Sequence, residues 1–311
     1  MNYVLNIING DAMDLYFVLS ALFSFVISLI FTKFIIKKMA NNKYGYDLHK
    51  ENKIKVAEMG GISPVIITSI TMLFFNPALS LSIFLSGFVG IIDDISRLNS
   101  KEKIVLTFLI GIPVALLLKL DVLLSVLLIL GIFVSSNLTN MLAGFNGLEI
   151  GMGILLCLFM ALVCLINGDI FGFNVLILFS AAYFGLLCYN KYPAKVFPGD
   201  TGTLPIGAFL ATVAVWRGYI PEFFILMIPY ILDALLKQFT AGVTKKDSVF
   251  TPTKLKNGKL YVEGGYLSLP RMILMKKSME EYKIVLVVWS IESFFGILSI
   301  LYTKYIGFNI F

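Results

Sequence analysis

Apolar residues in this chain gather into ten runs, at roughly 15–38, 60–77, 78–93, 103–119, 121–137, 147–167, 170–189, 203–217, 220–240 and 283–303. A helix needs about 20 such residues to cross a bilayer, and backbone left unpaired in lipid is too costly, so the runs predict transmembrane helices. Composition agrees: 58% of the 311 residues are hydrophobic and 14% charged, where a soluble domain carries about 25% charged residues. The expected fold is an all-α polytopic membrane protein of about ten transmembrane helices, one integral domain over residues 1–311. The first run follows Asp11 and Asp14 and lacks a small-residue cleavage site, so it reads as a retained span. Cys157, Cys164 and Cys188 lie inside apolar runs and behave as small hydrophobes, which excludes a disulfide scaffold.

Lysine and arginine set the orientation, because short basic loops stay on the cytoplasmic side. With the N-terminus outside, all but three of the 25 basic residues, Lys119, Arg217 and Lys304, fall on or near the inner side. That distribution accounts for most of the +6 net charge without a nucleic-acid partner. Five inner loops follow, at about 39–59, 94–102, 138–146, 190–202 and 241–282. In the last, Asn257-Gly258 between Lys254-Leu255 and Lys259-Leu260-Tyr261-Val262 predicts a small β-hairpin.

Polar chemistry gathers in these loops. Asp93-Asp94 ends the third run, where the helix dipole is already negative, so the pair is unfavourable unless a cation or a metal-bound phosphate stands near; the alternative is a helix end facing water. Lys103 begins the next run. Asn137, Asn140 and Asn146 with Glu149 interrupt an apolar neighbourhood, either as recognition groups offering neutral oxygens and amide donors or as hydrogen-bonding glue between helices. Gly199 and Gly202 bracket Asp200 in a turn suited to close phosphate approach, and Asp200 offers a hard oxygen to Mg²⁺. No His or Cys cluster is present; the one histidine, His49, reads as a solvated or nucleotide-edge residue rather than a base.

In order along the chain, Ile91-Ile92-Asp93-Asp94, Asn137-Leu138-Thr139-Asn140-Met141-Leu142-Ala143-Gly144-Phe145-Asn146-Gly147-Leu148-Glu149 and Val196-Phe197-Pro198-Gly199-Asp200-Thr201-Gly202-Thr203 resemble the polyprenyl-phosphate N-acetylhexosamine-1-phosphate transferases. These are glycosyltransferase 4-like enzymes, and within them the Asn140–Glu149 segment looks more like the dolichyl-phosphate GlcNAc-1-phosphate branch, archaeal type, than the peptidoglycan branch. The resemblance implies transfer of GlcNAc 1-phosphate from UDP-GlcNAc to a membrane polyprenyl phosphate, with UMP released. It implies that Asn140 and Asp200 hold Mg²⁺, with Mn²⁺ as a substitute, and that Asp93, Asp94 and Lys103 serve the reacting phosphates. Glu58, Gly144 and Asn146 match positions on the uridine side. Lys50, in the first-loop segment Asp47-Leu48-His49-Lys50 where His49 replaces the usual Asn, joins Asn137, Glu149 and Gly199 as expected substrate contacts.

One departure is plain. Family members carry histidines in the last inner loop, as a cluster or as Arg-His-Arg, and this chain has none after His49. Lys245, Lys246, Lys254, Lys256 and Arg271 are the positive charges available there for a pyrophosphate, with Lys254 and Lys256 the expected substrate contacts. The partners implied are a UDP-N-acetylhexosamine, polyprenyl or dolichyl phosphate and the bilayer, with no nucleic acid and with a homodimer allowed. The expected location is the cell membrane of a prokaryote or archaeon, active site cytoplasmic and both termini outside.

Two physical expectations complete the reading. Pro229 in the ninth run bends a helix and opens an apolar groove for a prenyl chain, unless it is an ordinary membrane proline, and Asp233 and Lys237 pair on one face of the same run. A carrier without chemistry would explain the spans and the proline, but carriers hold their sites near the midplane and often contain repeats, which this chain lacks.

Overall fold

A computed structural model describes residues 2–52, 54–241 and 253–307. Its helices are α1 (Asn2–Met39), α2 (Ile62–Leu73), α3 (Pro77–Ser96), α4 (Ser100–Leu118), α5 (Val122–Met141), α6 (Leu148–Ile166), α7 (Ile170–Asn190), α8 (Gly199–Arg217), α9 (Ile220–Ala241), α10 (Leu269–Lys276) and α11 (Glu281–Tyr305). Each of the ten apolar runs forms a helix. Six helical stretches among the described residues, Leu15–Met39, Pro77–Ser96, Val122–Met141, Leu148–Ile166, Ile170–Asn190 and Glu281–Tyr305, are long and apolar enough to cross a bilayer. The 12 residues of α2 rise only about 18 Å, short of a hydrocarbon core of about 30 Å.

Local chemistry starts and stops these helices. Asn76 accepts from the Ala78 and Leu79 N–H groups, and Pro77 follows at the first helical position, so the chain reverses sharply between α2 and α3. At the other end of α3, Arg97 takes a left-handed conformation. Asn99 and Glu102 then form a reciprocal capping box that begins α4. Only residues 97–99 separate the two helices, which brings the end of α3 beside the start of α4.

α8 is the central helix. Every residue from Thr201 to Val215 is buried, as a helix enclosed on all sides requires. Small residues permit that enclosure: a Cβ at Gly90 would meet the Thr201 backbone, and one at Gly207 the backbone of Ser135 and Ser136. The helix begins at Gly199, so Asp200 lies in its first turn rather than in the loop that the sequence suggests, with the Asp94 carboxylate at that helix start.

Two short antiparallel sheets cover the same end of the bundle. β1 (Tyr44–Asp47) pairs with β2 (Ile54–Ala57) inside the expected first inner loop. From β2 the chain runs against the segment before α8: Phe197 N–H donates to Ala57 O at 2.8 Å and Gly61 N–H to Pro198 O at 2.9 Å. β3 (Lys254–Lys256) and β4 (Lys259–Tyr261) form the expected hairpin, with Asn257 and Gly258 both at positive φ. Leu260 bridges to Met279 just before α11. Lys245 and Lys246 lie outside the described residues. Cys157, Cys164 and Cys188 are all free, the first two buried.

Candidate active site

The turn between α3 and α4 meets the first turn of α8, and the acidic pair divides there. Asp93 accepts the Leu98 N–H at 2.7 Å, which fixes the turn, and its other oxygen stands 2.6 Å from Lys103 Nζ. Lys103 also reaches Asp200, so one ammonium lies between two carboxylates. Asp94 turns the other way and accepts the Asp200 N–H at 2.9 Å, the Thr201 N–H at 3.1 Å and the Thr201 hydroxyl at 2.6 Å. A carboxylate at a helix N-terminus is favoured by the dipole and by the free N–H groups, so Asp94 holds α8 in place. The backbone donors of Asp200 and Thr201, which the sequence offers to a phosphate, are thereby occupied. Gly199 has φ +69°, and a Cβ there would strike the Asp94 carboxylate, so glycine is required twice over.

Asn140, in the last turn of α5, completes this group. Its Nδ2 donates to Asp200 at 2.9 Å and its Oδ1 accepts from the Thr203 hydroxyl at 2.9 Å. Asn137, one turn earlier, donates to Thr107 Oγ1 at 3.0 Å and to Phe133 O at 2.7 Å, tying α5 to α4. The carboxylate oxygens of Asp93 and Asp200 gather at one point and suit a hard divalent cation, while the Lys103 ammonium balances them in this arrangement and Asn140 presents its amide N–H to Asp200 and its oxygen to Thr203.

From Asp200 a cavity of about 300 Å³ extends past Asn140, Thr203 and Gly199 to Gly144, Glu149 and Asn146, then to Asp47, His49 and Phe145. After α5, Gly144 (φ +114°) and Gly147 (φ +85°) turn the chain into α6, and Glu149 accepts the Gly144 N–H at 2.8 Å. Asn146 Nδ2 donates to the buried Asp47 at 2.9 Å. The His49 ring stacks on Phe145, centroids 4.8 Å apart and planes at 22°. Thus His49, which replaces the Asn of the first-loop segment, lines the cavity and is stacked on Phe145.

Lys50 lies behind that wall, 2.9 Å from Glu281 Oε2, 3.6 Å from Asp47 and 3.6 Å from the centre of the Tyr192 ring. Burial disfavours its charge, but the hydrogen bond and charge of Glu281, with Asp47, outweigh it and raise its pKa above the ordinary lysine value. Glu281 is absent from the sequence reading, and its signal there is slight: an acid in the first turn of a helix is common for dipole reasons alone. Glu58 pairs with Lys43 at 3.4 Å beside Gly45 and Phe197, next to the cavity rather than in its lining. Lys254 pairs with Glu263, Lys256 is exposed on β3, and neither lines the cavity. Arg271 donates to Tyr266 O at 2.8 Å and Gly264 O at 2.5 Å, which orders the last inner loop. Asp233 and Lys237 pair at 2.6 Å as their spacing implies, and Lys237 donates to Met141 O at 2.5 Å, beside Asn140.

A helical membrane protein with acids, amides and a lysine converging where α3, α4, α5 and α8 meet is the class these features define. The model for glycosyl transferase family 4 matches residues 76–218, the stretch that supplies all four helices. A “Putative glycosyltransferase” of Methanocaldococcus jannaschii is 52% identical over 284 residues, covering 89% of this chain and 94% of its own. A “Putative UDP-N-acetylglucosamine--dolichyl-phosphate N-acetylglucosaminephosphotransferase” of Sulfolobus acidocaldarius is 30% identical over 316 residues, covering 91% and 95%. A “Phospho-N-acetylmuramoyl-pentapeptide-transferase” of Caldanaerobacter subterraneus subsp. tengcongensis is 30% identical over 243 residues, covering 64% and 74%. The chain belongs to glycosyl transferase family 4.

Proposed function

We propose that this protein transfers N-acetylglucosamine 1-phosphate from UDP-GlcNAc to a membrane polyprenyl phosphate of the dolichyl type, releasing UMP, as the first membrane step of lipid-linked oligosaccharide synthesis for N-glycosylation. The observation that carries the reading is a cavity with Asn140 and Asp200 at one end, where Asp200 shares Lys103 with Asp93, and a stacked His49–Phe145 wall at the other. Similarity to the Sulfolobus protein supports the donor and acceptor named here.

The acceptor is a phosphate monoester with a second pKa near ~6, so at neutral pH it is mostly dianionic and needs no base. Its oxygen attacks the sugar-bearing phosphorus, a new P–O bond forms, and the bond to the second phosphate breaks with UMP keeping the electron pair. The barrier is the approach of anions. Asp200 and Asp93, with Asn140 once its amide turns its oxygen from Thr203 toward Asp200, would hold Mg²⁺, whose charge would neutralise the pyrophosphate. Lys103 brings a further positive charge to the same point, Asp93 holds that lysine and the α3–α4 turn, and Asp94 fixes the start of α8 so that Asp200 stays in register. Asp94, with both oxygens engaged, is ill placed to be a nucleophile. In this reading the chain is one domain of ten helices in the cell membrane, with the site cytoplasmic.

The test uses purified protein in detergent with short-chain polyprenyl phosphate, Mg²⁺ and UDP-GlcNAc or UDP-GalNAc in parallel, following UMP and the lipid-linked product. Acceptor-dependent UMP with UDP-GlcNAc is expected, abolished by EDTA and restored by Mg²⁺ or Mn²⁺. Asp200→Ala and Asn140→Ala should each lower turnover by at least about 100-fold; near-native turnover in either removes the metal assignment. UMP release from donor alone would favour a phospho-enzyme instead.

A further inference from the structure

We propose that Glu281 is a positioning residue that sets the nucleotide-binding wall of the cavity, an inference resting on the reading of that cavity as the UDP-sugar site. Glu281 is 3% exposed and does not line the cavity, yet its carboxylate gathers groups from separate parts of the chain. Its Oε1 accepts the Asn146 N–H at 2.8 Å and lies 3.5 Å from His49 Nδ1, while Oε2 accepts from Lys50 at 2.9 Å.

Those partners are tied to one another. Asn146 donates its side chain to Asp47, Asp47 accepts the His49 N–H at 3.0 Å, and Lys50 stands near both carboxylates. The ring Asp47–Asn146–Glu281–Lys50 therefore joins the first inner loop, the α5–α6 turn and the start of α11. Each of its links crosses between chain segments, apart from the Asp47–Lys50 contact. What it presents to the cavity is Asp47, His49, Phe145 and Asn146. Remove the carboxylate, and the Asn146 N–H and the Lys50 ammonium lose a shared acceptor while the His49 ring loses the group behind it.

The same carboxylates invite another assignment, because donor atoms of Asp47, His49 and Glu281 lie within 4.8 Å of one another. A metal there would have to displace Lys50, which already supplies the positive charge, and Asn146, which already donates to both carboxylates. The geometry is that of a clamp. It also reaches the last inner loop, since Met279, two residues before Glu281, bridges to Leu260 of the β3–β4 hairpin.

The test compares wild type with Glu281→Gln, Glu281→Asp, Lys50→Met and the double variant Lys50→Met/Glu281→Gln, in purified protein with Mg²⁺. The Kd for UDP-GlcNAc is read by calorimetry, KM and kcat by UMP release, and melting temperature in the same detergent. Glu281→Gln should raise Kd and KM about tenfold with kcat within about threefold of wild type, Glu281→Asp should regain part of the loss, and the double variant should be no worse than Glu281→Gln. A fall in kcat that tracks a lower folded fraction with KM unchanged, or an unchanged Kd, overturns the proposal. If Glu281→Gln does not fold, Lys50→Met carries the same expectation of raised Kd and near-native kcat, with the same overturning results. Wild type that binds UDP-GlcNAc and releases no UMP would sink the transfer reading while the Kd comparison still decides the clamp; wild type that does not bind it sinks both.

Discussion

Asp93 and Asp94 are neighbours in the chain and do different work. Asp93 shares Lys103 with Asp200, whereas Asp94 is consumed by the first turn of α8. Losing an N-cap costs about 1 kcal/mol and a hydrogen bond to a charged group about 1.5–3 kcal/mol, so Asp94→Ala should lower stability by about 2 kcal/mol and reduce turnover with it. Asp93→Asn keeps an oxygen for the Leu98 N–H and should leave stability within about 1 kcal/mol while cutting turnover at least about 100-fold. Melting temperature and UMP release measured together check this; the reverse pattern would exchange the two roles. The unfavourable acidic pair was legible from sequence because a helix C-terminus repels anions. Which acid does which was not, because the N–H groups that Asp94 serves lie 106 and 107 residues away. Glu281 carries no local signal for the same reason: its partners are 135 and 231 residues distant.

Among the elements, α8 does most to place the site, and it is held at both ends. At the far end from Asp94, Arg217 donates to Asp169 at 2.8 Å and 2.6 Å, and Asp169 in turn caps α7 through the Gly172 N–H at 2.9 Å. Removing one partner of a fully buried pair costs about 3–5 kcal/mol, and the partial exposure of Arg217 reduces that, so Arg217→Met should destabilise the protein by about 1–2 kcal/mol. Because this clasp is remote from the cavity, KM for the nucleotide sugar should not change. Thermal melting and kinetics on the same preparation test it, and Asp169→Asn added to Arg217→Met should recover part of the loss; a changed KM would mean the two ends of α8 are coupled. Legibility followed length at this scale. Ten helices and the Asn257-Gly258 hairpin were visible because apolar runs and a turn dipeptide are local signals. The β1–β2 hairpin was not, since its four-residue strands lack such a turn and gain their place by pairing with the segment around Val196 and Phe197. An apolar cavity of about 480 Å³ between α1, α6 and α7, lined by Leu22, Phe25, Ile154 and Phe184 among others, likewise depends on packing that no single run encodes; Pro229 lies elsewhere, inside α9.

Among the described residues, the cavity, both hairpins and the basic loop segments share one end of the bundle, and the Lys119 and Arg217 turns share the other. In the proposed orientation the first end faces the cytoplasm, because translocating clustered Lys and Arg is unfavourable. For the proposed reaction, that orientation has the nucleotide sugar arrive from the cytoplasm and the lipid phosphate from the inner leaflet, at a site they reach from the same side. Replacing Cys157, Cys164 and Cys188 by Ala allows single cysteines to report this, one at Lys119 and one at Lys259, both exposed. In right-side-out vesicles a membrane-impermeant maleimide should label Lys119→Cys directly and Lys259→Cys only after permeabilisation. The opposite pattern would turn the cavity away from the cytoplasm and remove the route by which UDP-GlcNAc reaches Asp200, so the orientation and the proposed reaction stand or fall on one labelling experiment.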